Sequence, residues 1–230
     1  MFYSDDDVLF DVDQISVTIF YKKEIENLNL ELFESANNKE IYFKENDNFN
    51  SEIKLYEFTD SKKIEVLRKE KRLDIKMHFE KVDFVPYISV KSDFEKLLEL
   101  VQPLIVNSIN NEISRVSLGV KLASPIPKDL KVSDWLSKFI PFLRCNDDEI
   151  FDLNVKYVKM IELNNEIILN KAVHCGTGRL INMNNADYSS RERLEKVILL
   201  SLDYNTAYNL KIVLDDPLKI LHEIKNTLFE

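Results

Sequence analysis

The sequence predicts an α+β protein: a mostly antiparallel, twisted sheet from two pseudo-repeated strand-rich halves, each ending in a helix. Three observations carry this. Short runs rich in β-branched and aromatic residues alternate with polar positions, as half-buried strands do. Two later segments, Val90 to Ile105 and Leu214 to Phe229, change to the three-and-four spacing of an amphipathic helix. These segments also echo one another. Setting Ser92 against Asp215 puts Leu97 on Ile220, Leu98 on Leu221, Val101 on Ile224 and Ile105 on Leu228. The same register lays Leu73–Phe84 on Lys196–Ala207, a self-similarity that points to an internal repeat. The halves are residues 1–111 and 112–230, expected to pack as one globular unit with both helices on one face.

The elements follow in order. Val8 to Tyr21 reads as a first strand. Ile41–Phe43, Ile53–Phe58 and Ile64–Leu67 are short apolar runs separated by polar stretches, the pattern of an antiparallel meander. Leu73, Ile75, Met77 and Phe79 occupy every second position, so that strand has one wet face. Ser92 with Glu95 forms a capping-box signature for the first helix, which Pro103 is expected to kink or end. Glu112–Leu122 opens the second half as a strand. The stretch Ala123–Asp129, with Pro125 and Pro127, is expected to be a linker or long loop.

Trp135 lies in a short amphipathic stretch interrupted by Pro141. Asn154–Glu162 and Glu166–Val173 read as a hairpin, and the polar segment Ile181–Glu195 as a mobile loop. Val197–Leu202 is a buried strand and Ile212–Leu214 a short one. Asp215 or Asp216 caps the last helix, with Pro217 in the first turn, where a missing N–H costs nothing.

Composition narrows the function. Lysine plus arginine total 31 against 40 aspartates and glutamates, a net charge of −9. Such a field repels phosphate backbones and anionic membranes, so general nucleic-acid binding is disfavoured. The only cysteines are Cys145 and Cys175, the opening residues lack a secretory pattern, and no apolar stretch is long enough to span a bilayer. A cytoplasmic protein with no membrane association is the expectation. Three glycines in the chain leave no phosphate-cradling loop of the Walker or dinucleotide type.

No catalytic set emerges. His174 and Cys175 lie in HCGTGRL, but a cysteine-phosphatase loop needs its arginine six positions after the cysteine, whereas Arg179 is four positions on. The segment therefore reads as a turn at a strand end, with both glycines serving the turn. His222 begins HEIKN, without the second histidine a zinc-protease helix requires. A metal site would need His78, His174 and His222, or the carboxylates at Asp5–Asp7, Asp147–Glu149 and Asp215–Asp216, to converge from far apart in the chain. No cofactor and no metal are expected. The binding candidates are Arg115, Trp135, Asp147, Asp148, Glu149, His174 and Arg179, and the numerous strand aromatics suit a partner surface.

The segment SRVSLGVKLASPI, Ser114 to Ile126, resembles the Arg-x-Gly-Leu-Arg-Tyr-Asn strand of a sporadically distributed, uncharacterised bacterial family. The chain is also similar to that family in its β-rich start, a helix just before that strand, a late apolar strand ending in Asp203, and a terminal helix with the pair Leu221 and His222. Val120 and Lys121 stand where the family's arginine and tyrosine would be. The resemblance supplies no catalytic residues; its patchy distribution implies traffic with phage, mobile elements or defence islands. The leading expectation is a non-catalytic protein-interaction module, an inhibitor or accessory protein in such conflicts, with a protein partner and homodimerisation as a further expectation. The alternatives are a metal-dependent hydrolase or nuclease, and a small-ligand binder using the crevice between the halves.

Overall fold

The computed structural model describes residues 11–24, 39–46, 51–59, 62–79, 90–107, 112–125, 154–164, 167–180, 195–206 and 216–229. The elements are β1 (Asp11–Tyr21), β2 (Lys39–Asn46), β3 (Ser51–Thr59), β4 (Lys62–Lys69), β5 (Arg72–Phe79), α1 (Val90–Asn107), β6 (Ile113–Pro125), β7 (Asn154–Asn164), β8 (Ile167–Leu180), β9 (Glu195–Thr206) and α2 (Pro217–Phe229). The strands form one nine-stranded sheet in the order β2-β3-β4-β5-β1-β6-β9-β8-β7. Every neighbouring pair in it is antiparallel. The α+β class with a mostly antiparallel sheet is therefore the observed one.

The strand order follows a rule that sequence proximity alone does not supply. In the first half the opening strand β1 pairs with the closing strand β5; in the second, β6 pairs with β9. The two opening strands then pair with each other, Val17 facing Leu118 and Ile19 facing Val116, so the sheet runs unbroken across the boundary between the halves. Burial repeats as well. Ile75, Met77 and Phe79 on β5 match Ile198, Leu200 and Leu202 on β9, and all six are buried. On the helices, Leu97, Leu98, Val101 and Ile105 are buried, as are Ile220, Leu221, Ile224 and Leu228. Descent of the halves from one duplicated unit is a proposal that this equivalence supports.

The core lies between the helices and one face of the sheet. Strand side chains alternate between faces, and Ile15, Val17 and Ile19 of β1 join Leu118 and Val120 of β6 in one cluster with Phe94, Leu97 and Leu98 of α1 and Leu221 and Ile224 of α2. α1 packs on β1, α2 packs on β6 and β9, and the helices touch each other. The Lys225 ammonium donates to Glu95 Oε1 at 3.0 Å, tying α2 to α1 beside the apolar contact. That bond is the main reason the Glu95 carboxyl sits below its ordinary pKa. At the sheet end of α1, Lys62 of β4 reaches Asp93 in the first helical turn at 2.6 Å, a favourable place for a carboxylate near the positive end of the helix dipole.

Three boundaries differ from the expectation. α1 begins at Val90, not at Ser92, because the Val90 side chain is fully buried and extends the apolar stripe one turn earlier. Pro103 does not end the helix, which continues to Asn107; Leu104 and Ile105, both buried, hold the last turn against the core. β6 continues through Ala123 and Ser124 to Pro125, each paired with β9, so the segment expected to begin a linker at Ala123 is still strand. A proline at a strand's last position forfeits little of the ladder. The cap of α2 is as expected, with Asp216 Oδ1 accepting the Lys219 N–H at 2.9 Å and Pro217 at the first helical position. The short strand expected over Ile212–Leu214, residues 181–194 of the expected loop and the stretch Ile126–Asp129 lie outside the described residues, while Glu195, the last residue of that expected loop, begins β9.

The hairpin from β4 to β5 turns through Glu70 and Lys71, and Glu70 adopts a φ of 43°. That left-handed conformation costs an L-residue with a Cβ about 1 kcal/mol. Glu70 is exposed. Glu70→Gly is therefore expected to stabilise the protein by about 0.5–1 kcal/mol, read as a higher urea midpoint with an unchanged slope; an unchanged or lowered midpoint would refute the strained-turn assignment.

Candidate functional site

The sheet face away from the core cluster carries two contrasting regions. At its centre is a polar row. Asp74, Thr18, Ser117, Asn205 and Asn170 lie directly opposite one another across β5, β1, β6, β9 and β8. Asp74 accepts from Thr18 Oγ1 at 2.6 Å and from the Arg72 guanidinium at 2.8 Å. Asp203, one row along, accepts from the Ser117 hydroxyl and, at 3.1 Å, from Asn205 Nδ2. Asn170 Nδ2 in turn donates to Asn205 Oδ1 at 3.3 Å. Asp74, Ser117 and Asn205 are buried, and a buried carboxylate is tolerated only when its oxygens are so engaged.

Gly119 is fitted to this row's neighbour. A Cβ built there would stand 2.6 Å from the Ser16 hydroxyl on the facing strand. At one end of the face, Phe20 is flanked by two guanidinium groups, those of Arg115 at 4.9 Å and Arg72 at 5.5 Å from the ring centroid. These are cation–π contacts between directly opposed residues on adjacent strands.

The second region is apolar and lies at the β7 end. Val158 is 55% exposed, Met160 70% and Ile168 49%. Val158 faces Ala172 and Met160 faces Asn170 in the β7–β8 ladder, which places all three apolar side chains on the same sheet face. Tyr157, on the opposite face of the same strand, is 52% exposed. β7 is the last strand of the sheet, and Lys156, Lys159 and Glu162 along it are also exposed. A sheet normally sends such residues to the core on at least one side. Here both sides of the strand present apolar groups to solvent, rimmed by charge, the character of a contact surface for another chain.

Of the expected site residues, Arg115, His174 and Arg179 are among the described ones, and these three lie apart. Arg115 is half-buried on β6 and engaged with Phe20. His174 is exposed on β8, its Nε2 2.8 Å from Asn154 Oδ1. His174 lies opposite Ser201, which lies opposite Lys121; from Lys121 to Arg115 is a further six residues along β6, on the order of 20 Å of strand. Arg179 is at the far end of β8, opposite Lys196. Trp135 and the acidic group Asp147, Asp148 and Glu149 lie outside the described residues. Among the described residues no three histidine, cysteine or carboxylate groups come together in a way that could hold a metal ion.

The HCGTGR segment requires a correction. It is not a turn: β8 runs from Ile167 to Leu180 without a break, with Gly176 opposite Leu199 and Gly178 opposite Val197. Extended pairing on both sides fixes the period of two. His174 therefore points to one face while Cys175, between Val155 and Leu200, points into the core. A histidine on the opposite face cannot activate that thiol. Burial also pushes the Cys175 thiol above its ordinary pKa, away from the thiolate a nucleophile needs.

The exposed apolar strand was signalled in the sequence of β7, NVKYVKMIELN, where apolar residues occupy both alternating sets. A strand buried on one face alone leaves one set polar. No family model matches the chain, and no curated protein matches it.

Two measurements test these assignments. On the polar face Glu65 of β4 is paired with Lys76 and lies 3.6 Å from His78; the His78 imidazole, then Lys76, holds its carboxyl down at about 2 against an ordinary 4.5. A depressed folded value stabilises the protein above the unfolded value and loses that stabilisation as pH falls through the folded one. Glu65→Gln is therefore expected to cost about 1 kcal/mol near neutrality, after solvent screening, and progressively less as the pH falls from about 4.5 towards 2. A cost independent of pH would refute the ion-pair origin. Cys175→Ser is expected to alter only stability, by about 1–3 kcal/mol for a hydroxyl placed in the core, and to leave partner binding intact in the folded protein; loss of binding with unchanged melting would revive a chemical role for the thiol.

Proposed function

We propose that the protein is a non-catalytic protein-interaction module whose docking surface is the β7–β8 end of the sheet. One observation carries the reading: Val158, Met160 and Ile168 share one exposed face of the terminal hairpin. Tyr157 adds an exposed aromatic on the strand's other side. Aromatic and methionine side chains are the groups enriched where chains meet, and a few such anchors usually dominate the binding energy.

The polar centre of the sheet supports this by its chemistry. Asp74 and Asp203 are each held by hydroxyl, amide or guanidinium donors, so each is spent on cross-strand bonds, and general acid–base work needs a group poised to exchange its proton. No described helix is long and apolar enough to cross a membrane. A cytoplasmic location, with the buried thiol of Cys175 kept free in a reducing compartment, belongs to the same proposal. So does a role as inhibitor or accessory protein in conflict between hosts and mobile elements, which rests on the family resemblance carried by Ser114–Ile126 and the order of elements around it.

Capture of partners by the tagged protein from its native host, compared between wild type, Met160→Asp and Tyr157→Ala, tests the reading. A stoichiometric partner is expected with the wild type. Its affinity is expected to fall by about 2 kcal/mol or more with Met160→Asp and measurably with Tyr157→Ala, at unchanged melting temperature because both side chains are largely in solvent. Partner capture indifferent to both substitutions would exclude this surface, and turnover of generic phosphoester or peptide substrates by the purified protein would exclude the non-catalytic reading.

A further inference from the structure

We infer that β7 is the seam of a two-fold dimer, in which it pairs antiparallel with β7 of a second copy so that one sheet continues into the next. The inference rests on the reading of the β7–β8 end as a docking surface and names its occupant. β7 is the terminal strand and pairs only with β8 among the described strands, so one side of its backbone presents a row of N–H and C=O groups. Such an edge is a template for another strand. Asn154, the run Lys156–Met160 and Glu162 are all exposed, which leaves the edge accessible along most of its length.

The sequence of the strand selects its own partner. A two-fold axis normal to the sheet, passing beside Lys159, sets Lys156 of each copy opposite Glu162 of the other, Val158 opposite Met160, and Tyr157 opposite Ile161. Each pair occurs twice, so two ion pairs and four apolar pairs form from one strand. Opposite charges and apolar groups placed directly across a ladder are each stabilising. Sliding the strands by two residues in one direction puts Lys156 against Met160; in the other it puts Val158 against Glu162. Both alternatives lose the charge match. A symmetry axis of this kind also keeps the helices of both copies on one side of the continuous sheet.

Lys159 is the exception that sharpens the register. It meets its own copy at the axis, a like-charge contact that costs stability. Lysine on an edge strand also discourages indiscriminate pairing. In this arrangement one lysine finds a carboxylate and the other limits affinity, which suits an association that responds to concentration. The contact is confined to one strand edge and its flanking side chains, so it falls at the small end of stable interfaces, below about 1,200 Å².

Sedimentation velocity on the full chain, over a series reaching high micromolar concentration, tests the inference by charge exchange. The wild type is expected to move from monomer to a species of twice 27.1 kDa. Lys156→Glu and Glu162→Lys are each expected to weaken association by about tenfold, since two opposite-charge contacts become two like-charge ones. The double variant Lys156→Glu/Glu162→Lys is expected to return to within about threefold of the wild type, and Lys159→Thr to associate more tightly than the wild type. All these side chains are exposed, and unchanged circular dichroism melts establish that each variant folds. A wild type monomeric throughout, or single variants that the double does not rescue, overturns the second copy as occupant. If Met160→Asp still abolishes capture of a different partner in that case, the docking surface stands and only its occupant is wrong.

Discussion

The pairing of β1 with β6 is the constraint on which the rest of the structure depends. Each of these strands opens one half of the chain, and each is flanked on its other side by the strand that closes the same half. A single ladder therefore converts two meanders into one sheet. It also decides where the helices go. α1 lies on β1 and α2 on β6 and β9, and only the adjacency of β1 and β6 brings the helices within reach of each other and of the Lys225–Glu95 bond. The apolar core at this junction, with Ile15, Val17, Leu118 and Val120 essentially withdrawn from solvent, is the largest favourable term available to the fold.

From that ladder the division of labour between the two sheet faces follows. One face is committed to the helices. The other carries hydroxyls, amides and carboxylates in the middle, where long-range bonds such as Ser117 to Asp203 and Asn170 to Asn205 tie neighbouring strands together. Those bonds favour one register, because sliding a strand by one residue would turn its apolar set outward and strand its polar set in the core. The sheet's β7 end is free of this commitment. Val158, Met160 and Ile168 there belong neither to the core cluster nor to the polar row, and with Tyr157 they make up four of the six large apolar side chains exposed among the described residues.

Local pattern made much of this legible. Period two in Leu73, Ile75, Met77 and Phe79 marked β5, and the Asp216-Pro217 pair marked the start of α2 together with its cap. The hairpin of β7 and β8 was readable from two alternating runs around a short connection. What local pattern could not supply was which strand lies beside which. Ser117 and Asp203 are 86 residues apart, and Thr206 accepts a backbone N–H from Val116, 90 residues away; nothing in either neighbourhood announces the other. Misreadings at HCGTGR and at Ala123 have one physical cause. Glycine and proline punctuate chains through local conformational preference, and here pairing with β9 on one side overrode it. The described candidates Arg115, His174 and Arg179 lie apart for a related reason: histidine and arginine drew notice by type, whereas the exposed surface is made of valine, methionine, isoleucine and tyrosine, which draw notice only once burial is known.

Native-state hydrogen exchange, resolved by residue, tests the central role of the β1–β6 ladder most directly. The amides of β1 and β6 are expected to be among the slowest in the protein and to exchange together with those of α1 and α2, at the free energy of global unfolding. A first half that opens and closes independently of the second, with β1 or β6 exchanging at lower free energy than the outer strands of its own half, would contradict the account.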